Sequence, residues 1–289
     1  MVYYFYICQK GARGMLQLVL GASGSGKSRF LLERVRERAL AGQRSILLVP
    51  EQFTSTNESR LYRLLGDKLS GYVSSYSFSS LAEKVLSLYG GVAVKTMTDA
   101  SRAVLVRRAV EGLGDEVVYY GRHKRSAAFC QLAAETIDEL KNAGLSGQQF
   151  LQLAETAGAG GKLRELGLIF CAYEALLAGA AMDPGDRVMA AAERMEPDFL
   201  AGTAVFVDEF DTFNASKRRL LEAMLCASPS LTVALCADSL EDREGGMGLF
   251  SGAKQVAAAL LRMARKNGAP RPSCCGRTAA MKARRVWPG

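Results

Sequence analysis

Long apolar runs are missing from this sequence of 289 residues. A membrane-spanning helix needs about 20 consecutive apolar residues, and no run in the chain approaches that length. The first fourteen residues, MVYYFYICQKGARG, also lack the apolar stretch and the cleavage site of a secretory signal. The sequence therefore predicts a soluble, cytoplasmic protein that has no membrane partner.

Histidine and closely spaced cysteine pairs are scarce as well. Histidine occurs once, at position 123, and the seven cysteines include no C-x-x-C pair and no histidine partner at the spacing of a zinc site. We interpret His123 as a solvated loop residue. An odd number of cysteines without a secretion signal favours reduced thiols, so the sequence indicates neither a structural metal centre nor a disulfide framework.

Acidic residues are absent from both ends of the chain. Seven of the 37 basic residues lie in residues 1–14 and 270–289, and these two segments contain no acidic residue. The formal net charge of +8 comes almost wholly from these ends, and the body between them is nearly neutral. The overall charge therefore gives no evidence of its own for a nucleic-acid partner.

Both ends also differ from the body in pattern. Residues 1–14 show no period that leads into Met15, so we interpret them as an N-terminal extension. Residues 270–289, PRPSCCGRTAAMKARRVWPG, change abruptly to Pro, Cys and Arg without apolar periodicity. We expect this basic segment to be a disordered tail or a frame-shifted terminus.

The body alternates short apolar strands with amphipathic helices. Residues 16–20 and 45–49 are continuous apolar runs of the kind found in parallel sheets, and residues 28–41 between them have a helical period. Residues 98–199 show helical periods only, and strand patterns return in TAVFVDEF and LTVALCAD. The sequence predicts an α/β nucleotide-binding core, residues 15–97 and 200–269, interrupted by a helical insertion, residues 98–199.

The glycine-rich turn after the first strand matches the pattern G-x-x-x-x-G-K-[ST] at every position. In such a turn the backbone N–H groups surround phosphate oxygens, and the next helix adds its positive N-terminal end. We expect the lysine to bind the β- and γ-phosphates of ATP and the serine hydroxyl to bind Mg²⁺. The alternative is a chance Gly/Ser-rich turn. The predicted phosphate-binding residues are Gly21, Ala22, Ser23, Gly24, Ser25, Gly26, Lys27 and Ser28.

An acidic pair follows a later apolar strand, in AVFVDEFDTF. Ligands of an open parallel sheet lie at the carboxyl ends of its strands. We therefore predict that Asp208 is the second Mg²⁺ ligand beside Ser28, and that Glu209 is the general base that acts with Lys27 in catalysis. The alternative is a buried strand that simply ends in solvated acids.

A polar loop follows the second strand, in ILLVPEQFTST. Glu51, Gln52 and Thr54 are predicted to lie at the same edge of the sheet as the phosphate-binding turn. Two interpretations stay open: a loop that contacts nucleic acid in a motor protein, and a capped turn before a helix.

Several segments are similar, in the same order, to the N-terminal helicase-like region of AddB, the B subunit of the bacterial ATP-dependent helicase/deoxyribonuclease. The resemblance covers residues 15–260 and rests on LGASGSGKS, ILLVPEQFTSTNE, SYSFSSLAEKVL, DELKNAGLS, IFCAYEALLAGAAMDPGD and VFVDEFDTFNASKRRLLEAML. It implies a RecA-like P-loop NTPase core with ATP and Mg²⁺ as cofactors. It also implies an AddA-like partner subunit in a heterodimer, and DNA, mainly duplex ends and single strands, processed for recombinational repair.

Two departures from this family limit the expectation. Members have more than a thousand residues, with a second RecA-like lobe, a nuclease domain and an iron–sulfur cluster, so we interpret this chain as a fragment. Cys274 and Cys275 are adjacent and lie in the unmatched tail, so we do not expect the cluster here. Members of the family often lack the glutamate at the position of Glu209. Because Glu209 is present here, hydrolysis is chemically possible in this chain.

Three functions remain open from the sequence. The first is the ATP-binding region of a helicase-nuclease subunit, which we expect to bind Mg-ATP with negligible hydrolysis because the second lobe supplies arginines to the reaction. The second is a small-molecule kinase, which is disfavoured by the long helical insertion. The third is a scaffold that binds DNA or a partner and has a structural ATP site.

Overall fold

The computed structural model describes residues 3–8, 14–90, 95–123, 126–158, 160–178, 181–240, 246–267 and 273–278. For residues 3–8, 95 and 273–278 it describes the backbone alone. The remainder of the predicted N-terminal extension and of the predicted tail lies outside the described residues.

Nine strands and ten α-helices lie in the described part of the chain. The strands are β1 Tyr3–Cys8, β2 Met15–Gly21, β3 Ser45–Leu48, β4 Val73–Tyr76, β5 Lys95–Thr96, β6 Ala181–Met182, β7 Ala204–Val207, β8 Ser230–Cys236 and β9 Ser273–Thr278. The helices are α1 Lys27–Leu40, α2 Thr54–Ser70, α3 Phe78–Tyr89, α4 Asp99–Leu113, α5 Ala127–Ala143, α6 Gly147–Thr156, α7 Gly161–Leu177, α8 Pro184–Arg194, α9 Ala215–Ala227 and α10 Ser251–Lys266.

The main sheet has seven strands in the order β4-β3-β7-β8-β2-β1-β9. The five strands from β4 to β2 are parallel, and β1 and β9 are antiparallel to their neighbours. Strand β8 pairs with both β2 and β7, so it separates the strand that precedes the glycine-rich turn from the strand that precedes the acidic pair. The predicted α/β fold with a parallel sheet is confirmed, and this architecture is consistent with a Rossmann-like or RecA-like core.

The two antiparallel strands, of which β9 is at the edge of the sheet, come from the ends of the chain. Strand β1 lies within the predicted N-terminal extension, and β9 lies within the predicted tail. Neither segment has a clear strand period in the sequence. Pairing at a sheet edge depends on backbone hydrogen bonds, which any non-proline residue can make.

The apolar strands and helices of the sheet share one core. Val19 of β2 and Leu47 of β3 are buried, and they pack with Leu31 and Val35 of α1 and with Leu61 of α2. Both faces of the central strands are covered, which explains why these strands are continuous apolar runs and do not alternate. Burial of each such side chain stabilises the fold by roughly 1.5–3 kcal/mol.

The chain divides into two compact units. The first consists of Met1–Val85, Ala192–Phe213 and Arg218–Gly289, and it contains the seven-stranded sheet. The second consists of Leu86–Ala191 and Asn214–Lys217 and is mainly helical.

The helical unit has a core of its own. Val106 and Val110 of α4 and Ile137 of α5 are buried with Phe170 and Tyr173 of α7. These positions recur at three- and four-residue steps, which gives each helix one apolar stripe. The unit therefore buries its helices against one another.

A buried charged network links three helices of this unit. Lys141 Nζ of α5 lies 2.7 Å from an oxygen of Asp183 and 2.6 Å from one of Asp186. Tyr173 donates a hydrogen bond of 2.8 Å to the other oxygen of Asp183. Burial opposes the charge of Lys141, but the hydrogen bonds to the two carboxylates outweigh it and raise the pKa of the ammonium. Removing one charged side chain of this network by mutation would leave a buried charge without its partner.

Candidate nucleotide-binding site

The glycine-rich turn connects β2 to α1 and exposes its central residues. Gly24 and Gly26 have φ angles of 69° and 93°, a region that residues with a side chain rarely adopt. A Cβ atom at Gly21 would collide with Ser25 Oγ, so a side chain at the end of β2 would displace Ser25. The spacing of the glycines in the sequence therefore follows from the shape of the turn.

Lys27 folds its ammonium group back over the turn. Its Nζ donates hydrogen bonds of 2.9 Å to the carbonyl oxygens of Gly21 and Ala22. Both acceptors are uncharged, so the positive charge of Lys27 is not neutralised by a direct ion pair within the turn. The group is placed to attract an anion at this end of the sheet.

The N-terminus of α1 adds positive potential at the same place. No acidic residue lies in the first turn of α1, and no side chain caps the N-terminal N–H groups. The helix dipole concentrates partial positive charge on these groups. The turn and the first residues of α1 together present an anion-binding end without a competing carboxylate from this helix.

Asp208 lies against Ser28 across the strand ends. Its backbone N–H donates to the carbonyl of Leu48 on the neighbouring strand at 3.0 Å, which continues the ladder of β7 by one residue. The side chain is 7% exposed and lies close to the Ser28 hydroxyl. Burial raises the pKa of the Asp208 carboxyl, although the Ser28 hydroxyl, the backbone N–H of Glu209 and the charges of Lys27 and Arg60 act in the opposite direction.

Glu209 follows in a strained backbone conformation. Its φ of 64° is the one positive value among the described non-glycine residues, and such strain costs of order 1–3 kcal/mol and clusters at functional sites. Glu209 Oε1 lies 3.5 Å from a guanidinium nitrogen of Arg60. Its Oε2 is buried and has no hydrogen-bond partner among the described residues. The negative charge of the Glu209 carboxylate is therefore only partly neutralised by Arg60.

A family model described as "ADDB, N-terminal" matches residues 18–284. The chain belongs to the AddB N-terminal family. The resemblance that the segments from LGASGSGKS to VFVDEFDTF indicate is confirmed by this match, which extends over nearly the whole chain. It also includes most of the segment that we predict to be a foreign tail.

Relatives that share one name come from several bacteria, and each is named as the B subunit of an ATP-dependent helicase/deoxyribonuclease. The relative from Desulforudis audaxviator is 33% identical over 266 residues, which are 88% of this chain and 23% of the relative. Those from Moorella thermoacetica and Clostridium kluyveri are 32% and 28% identical over 77% and 87% of this chain. The chain spans about a quarter or less of the length of these relatives.

The residues of this AddB N-terminal region fit a nucleotide and its metal ion. The turn accepts phosphate oxygens only if its backbone stays uncovered, and no heavy atom lies within 4 Å of the position that a Cβ of Gly24 would take. No cluster of three or more His, Cys, Asp or Glu suited to a metal ion occurs among the described residues. Mg²⁺ does not need one, because it keeps several waters and takes only one or two protein ligands beside phosphates.

The predicted residues form three groups in the sequence. The first two, Lys27 with Ser28 and Asp208 with Glu209, are far apart along the chain, and the sheet brings them to one edge. The third, Glu51, Gln52 and Thr54, follows β3 at that edge in an exposed 3₁₀ turn and at the start of α2. Its geometry does not distinguish a nucleic-acid contact from a turn before a helix, so both interpretations of this loop remain predictions.

Arg60 is a member of the site that the sequence does not reveal. It lies on α2, six residues after Thr54, in an amphipathic helix that also contains Arg63 and Lys68. Its residue type and spacing do not separate it from Arg63 on the same helix. Only the packing of α2 on the sheet shows that the charge of Arg60 acts on Asp208 and that its nitrogen approaches Glu209.

No helix of the described residues is long and apolar enough to cross a membrane.

Proposed function

We propose that this chain binds Mg-ATP and is the ATP-binding, helicase-like N-terminal region of an AddB-type subunit that processes DNA ends. The observation that carries the proposal is the proximity of the buried Asp208, at the end of β7, to Ser28 and Lys27 of the glycine-rich turn. It joins the two halves of a P-loop site over 180 residues of sequence. A chance glycine-rich turn would have no reason to meet a buried acid at that position.

Each residue of the site has a role that follows from its chemistry. The turn N–H groups and the N-terminus of α1 hold phosphate oxygens, and Lys27 exchanges its two carbonyl partners for phosphate. The hydroxyl of Ser28 and the carboxylate of Asp208, which lie close together, would hold Mg²⁺. Bound Mg²⁺ neutralises the charge of the phosphates. Glu209 orients water or accepts its proton.

The wider role rests on the relatives. Their printed name contains both "helicase" and "deoxyribonuclease" and calls the protein a subunit, which supports a partner subunit and a DNA substrate. We infer that the partner is AddA-like and that the DNA has duplex ends and single strands. The described residues contain one seven-stranded sheet of this type. Since motors of this class bind nucleotide between two lobes, we expect this chain alone to bind Mg-ATP with negligible turnover.

A second candidate is a non-motor scaffold with a structural ATP site. It is favoured by large apolar side chains that the helical unit exposes, such as Val104, Leu132 and Leu153, which are 58%, 63% and 55% exposed. A subunit that holds a partner through these helices would need ATP for stability and not for movement.

Calorimetric titration of the purified chain with ATP, in the presence and absence of Mg²⁺, tests the proposal. We expect affinity for Mg-ATP and a loss of at least about tenfold in the Lys27→Ala variant, because the ammonium is the side-chain cation of the turn. Asp208→Asn should weaken the Mg²⁺ dependence selectively. The matched control is Arg29→Ala, since Arg29 is exposed on α1 and pairs only with Glu33 among the described residues.

The outcomes separate the candidates. No binding of ATP by the wild-type chain would overturn the nucleotide site itself. If Lys27→Ala abolishes ATP binding but spares binding to DNA and to the partner, the scaffold is supported. DNA-stimulated hydrolysis well above background by this chain alone would contradict the expectation of negligible turnover.

A further inference from the structure

Arg60 brings a second cation to the acidic pair at the end of β7. One of its guanidinium nitrogens lies 3.5 Å from Glu209 Oε1, and its charge acts on Asp208 together with that of Lys27. The side chain of Arg60 is 50% exposed. The charges of both Lys27 and Arg60 therefore act on the carboxylate of Asp208.

The contact between Arg60 and Glu209 is weak for an ion pair of this kind. Arginine and a carboxylate commonly form two parallel hydrogen bonds of about 2.7–2.9 Å, whereas this pair has one contact of 3.5 Å. The second oxygen of Glu209 is buried without a partner among the described residues. A guanidinium has five N–H donors, so most of the donor capacity of Arg60 is not used by Glu209.

The charge balance of the site determines what Arg60 can bind. Lys27 and Arg60 balance Asp208 and Glu209 when no nucleotide is present. In the proposed complex Asp208 would hold Mg²⁺, and Lys27 would bind the phosphates. The terminal phosphate of a triphosphate adds negative charge that a diphosphate lacks, and we expect Glu209, the neighbour of Asp208, to be the carboxylate nearest to it. An anion so close to Glu209 needs an additional cation.

We propose that Arg60 is a specificity-determining residue for the terminal phosphate: it leaves Glu209 when a nucleoside triphosphate binds, and it does not bind a diphosphate. This inference rests on the proposed Mg-ATP site. The planar, multidentate guanidinium suits phosphate oxygens better than one long contact with a carboxylate. The exchange also releases the Glu209 carboxylate, so the base becomes free only when a triphosphate is present.

The test compares the affinities for Mg-ATP and Mg-ADP in matched variants of the full chain. In Arg60→Ala we expect the affinity for Mg-ATP to fall about tenfold, the loss typical of one charge-assisted contact, while the affinity for Mg-ADP stays within about twofold. Arg60→Lys should retain part of the preference for Mg-ATP, because lysine keeps the positive charge but lacks the planar guanidinium with its several N–H donors. Arg63→Ala, an exposed arginine of the same helix, should behave as wild type.

Each failure has a distinct signature. Equal weakening of Mg-ATP and Mg-ADP in Arg60→Ala would overturn the inference, and so would an unchanged ratio of the two affinities. A wild-type chain that binds neither nucleotide overturns the proposed function first, and the inference with it. Circular dichroism and thermal unfolding without nucleotide show whether each variant keeps its fold.

A second measurement tests the exchange of partners. Glu209→Gln removes the charge that holds Arg60, so we expect it to strengthen Mg-ATP binding about threefold or more in the wild-type background. The same substitution should strengthen Mg-ATP binding less in Arg60→Ala, where it removes only the repulsion between Glu209 and the phosphate. If Glu209→Gln strengthens binding equally in both backgrounds, the gain comes from reduced repulsion alone and the exchange is wrong.

Discussion

At the scale of single residues, two buried carboxylates serve different purposes. Asp208 is 7% exposed and shares its oxygens with Ser28 and with the N–H group of Glu209, contacts that a metal ion can replace. Glu165 is 8% exposed and accepts hydrogen bonds of 3.0–3.1 Å from three consecutive backbone N–H groups, Val118 to Tyr120. The first arrangement suits a binding site, and the second fixes a turn of the chain.

The turn held by Glu165 supplies a stability prediction. In Glu165→Gln the amide has one acceptor oxygen, and its NH₂ group would face an N–H donor. We expect the free energy of unfolding to fall by about 1–3 kcal/mol, measured by urea denaturation. Glu155→Gln is the control, because Glu155 is 53% exposed in the same unit; it should change stability by less than about 0.5 kcal/mol. Equal stability of Glu165→Gln and wild type would contradict the structural role.

At the scale of elements, α6 and α7 approach each other closely through glycine. A Cβ at Gly147, the first residue of α6, would lie 2.8 Å from the backbone nitrogen of Cys171 on α7. A Cβ at Gly167 of α7 would lie 3.0 Å from the Cα of Leu151 on α6. Because these neighbours are backbone atoms, they cannot move aside without separating the helices.

The close contact of α6 and α7 leads to a second stability prediction. Alanine favours a helix over glycine by about 1 kcal/mol, but at Gly147 the added methyl group collides with the backbone of α7. We expect Gly147→Ala to destabilise the chain by about 1–3 kcal/mol. Gly161→Ala is a matched control, since Gly161 is also the first residue of its helix and its Cβ would meet no atom within 4 Å. Thermal unfolding measures both, and a Gly147→Ala variant as stable as Gly161→Ala would show that α6 can shift at no cost.

At the scale of the whole molecule, the sheet unit and the helical unit have separate cores. All residues of the proposed nucleotide site, including Arg60, belong to the sheet unit. The helical unit contributes its own charged network and exposed apolar side chains. We therefore expect the proposed binding of nucleotide to be a property of the sheet unit.

Hydrogen exchange with and without Mg-ATP tests this division. Ligand binding slows exchange most at amides that it contacts or whose opening it opposes. We expect protection of residues 21–30, of the end of β7 and of the first half of α2, and little change in α5, α6 and α7. Protection of equal size in the two units would show that nucleotide acts on the whole chain, and its absence in residues 21–30 would contradict the site.

Much of the fold was open to prediction because its signals are local. The apolar run and the glycine pattern before Lys27 predict β2, its turn and α1, since turn geometry and strand burial each demand particular residue types at fixed spacing. The run that ends at Asp208 predicts β7 for the same reason. Strands β1 and β9 were not predicted, because their pairing depends on backbone hydrogen bonds and leaves little trace in the side-chain pattern.

The sequence by itself determined that a glycine-rich turn with a lysine and a serine is present and that an acidic pair follows a later strand, because each of these features is set by residue types at fixed spacing. Only the tertiary structure decided that Ser28 meets Asp208, that Glu209 is strained and partly unpaired, and that Arg60 rather than Arg63 faces it. The physical reason is that the order of strands in the sheet and the packing of α2 on that sheet result from burial summed over the whole sheet unit. A short segment of sequence does not show this total burial, so the partner of an arginine on an exposed helix face is known only from the folded chain.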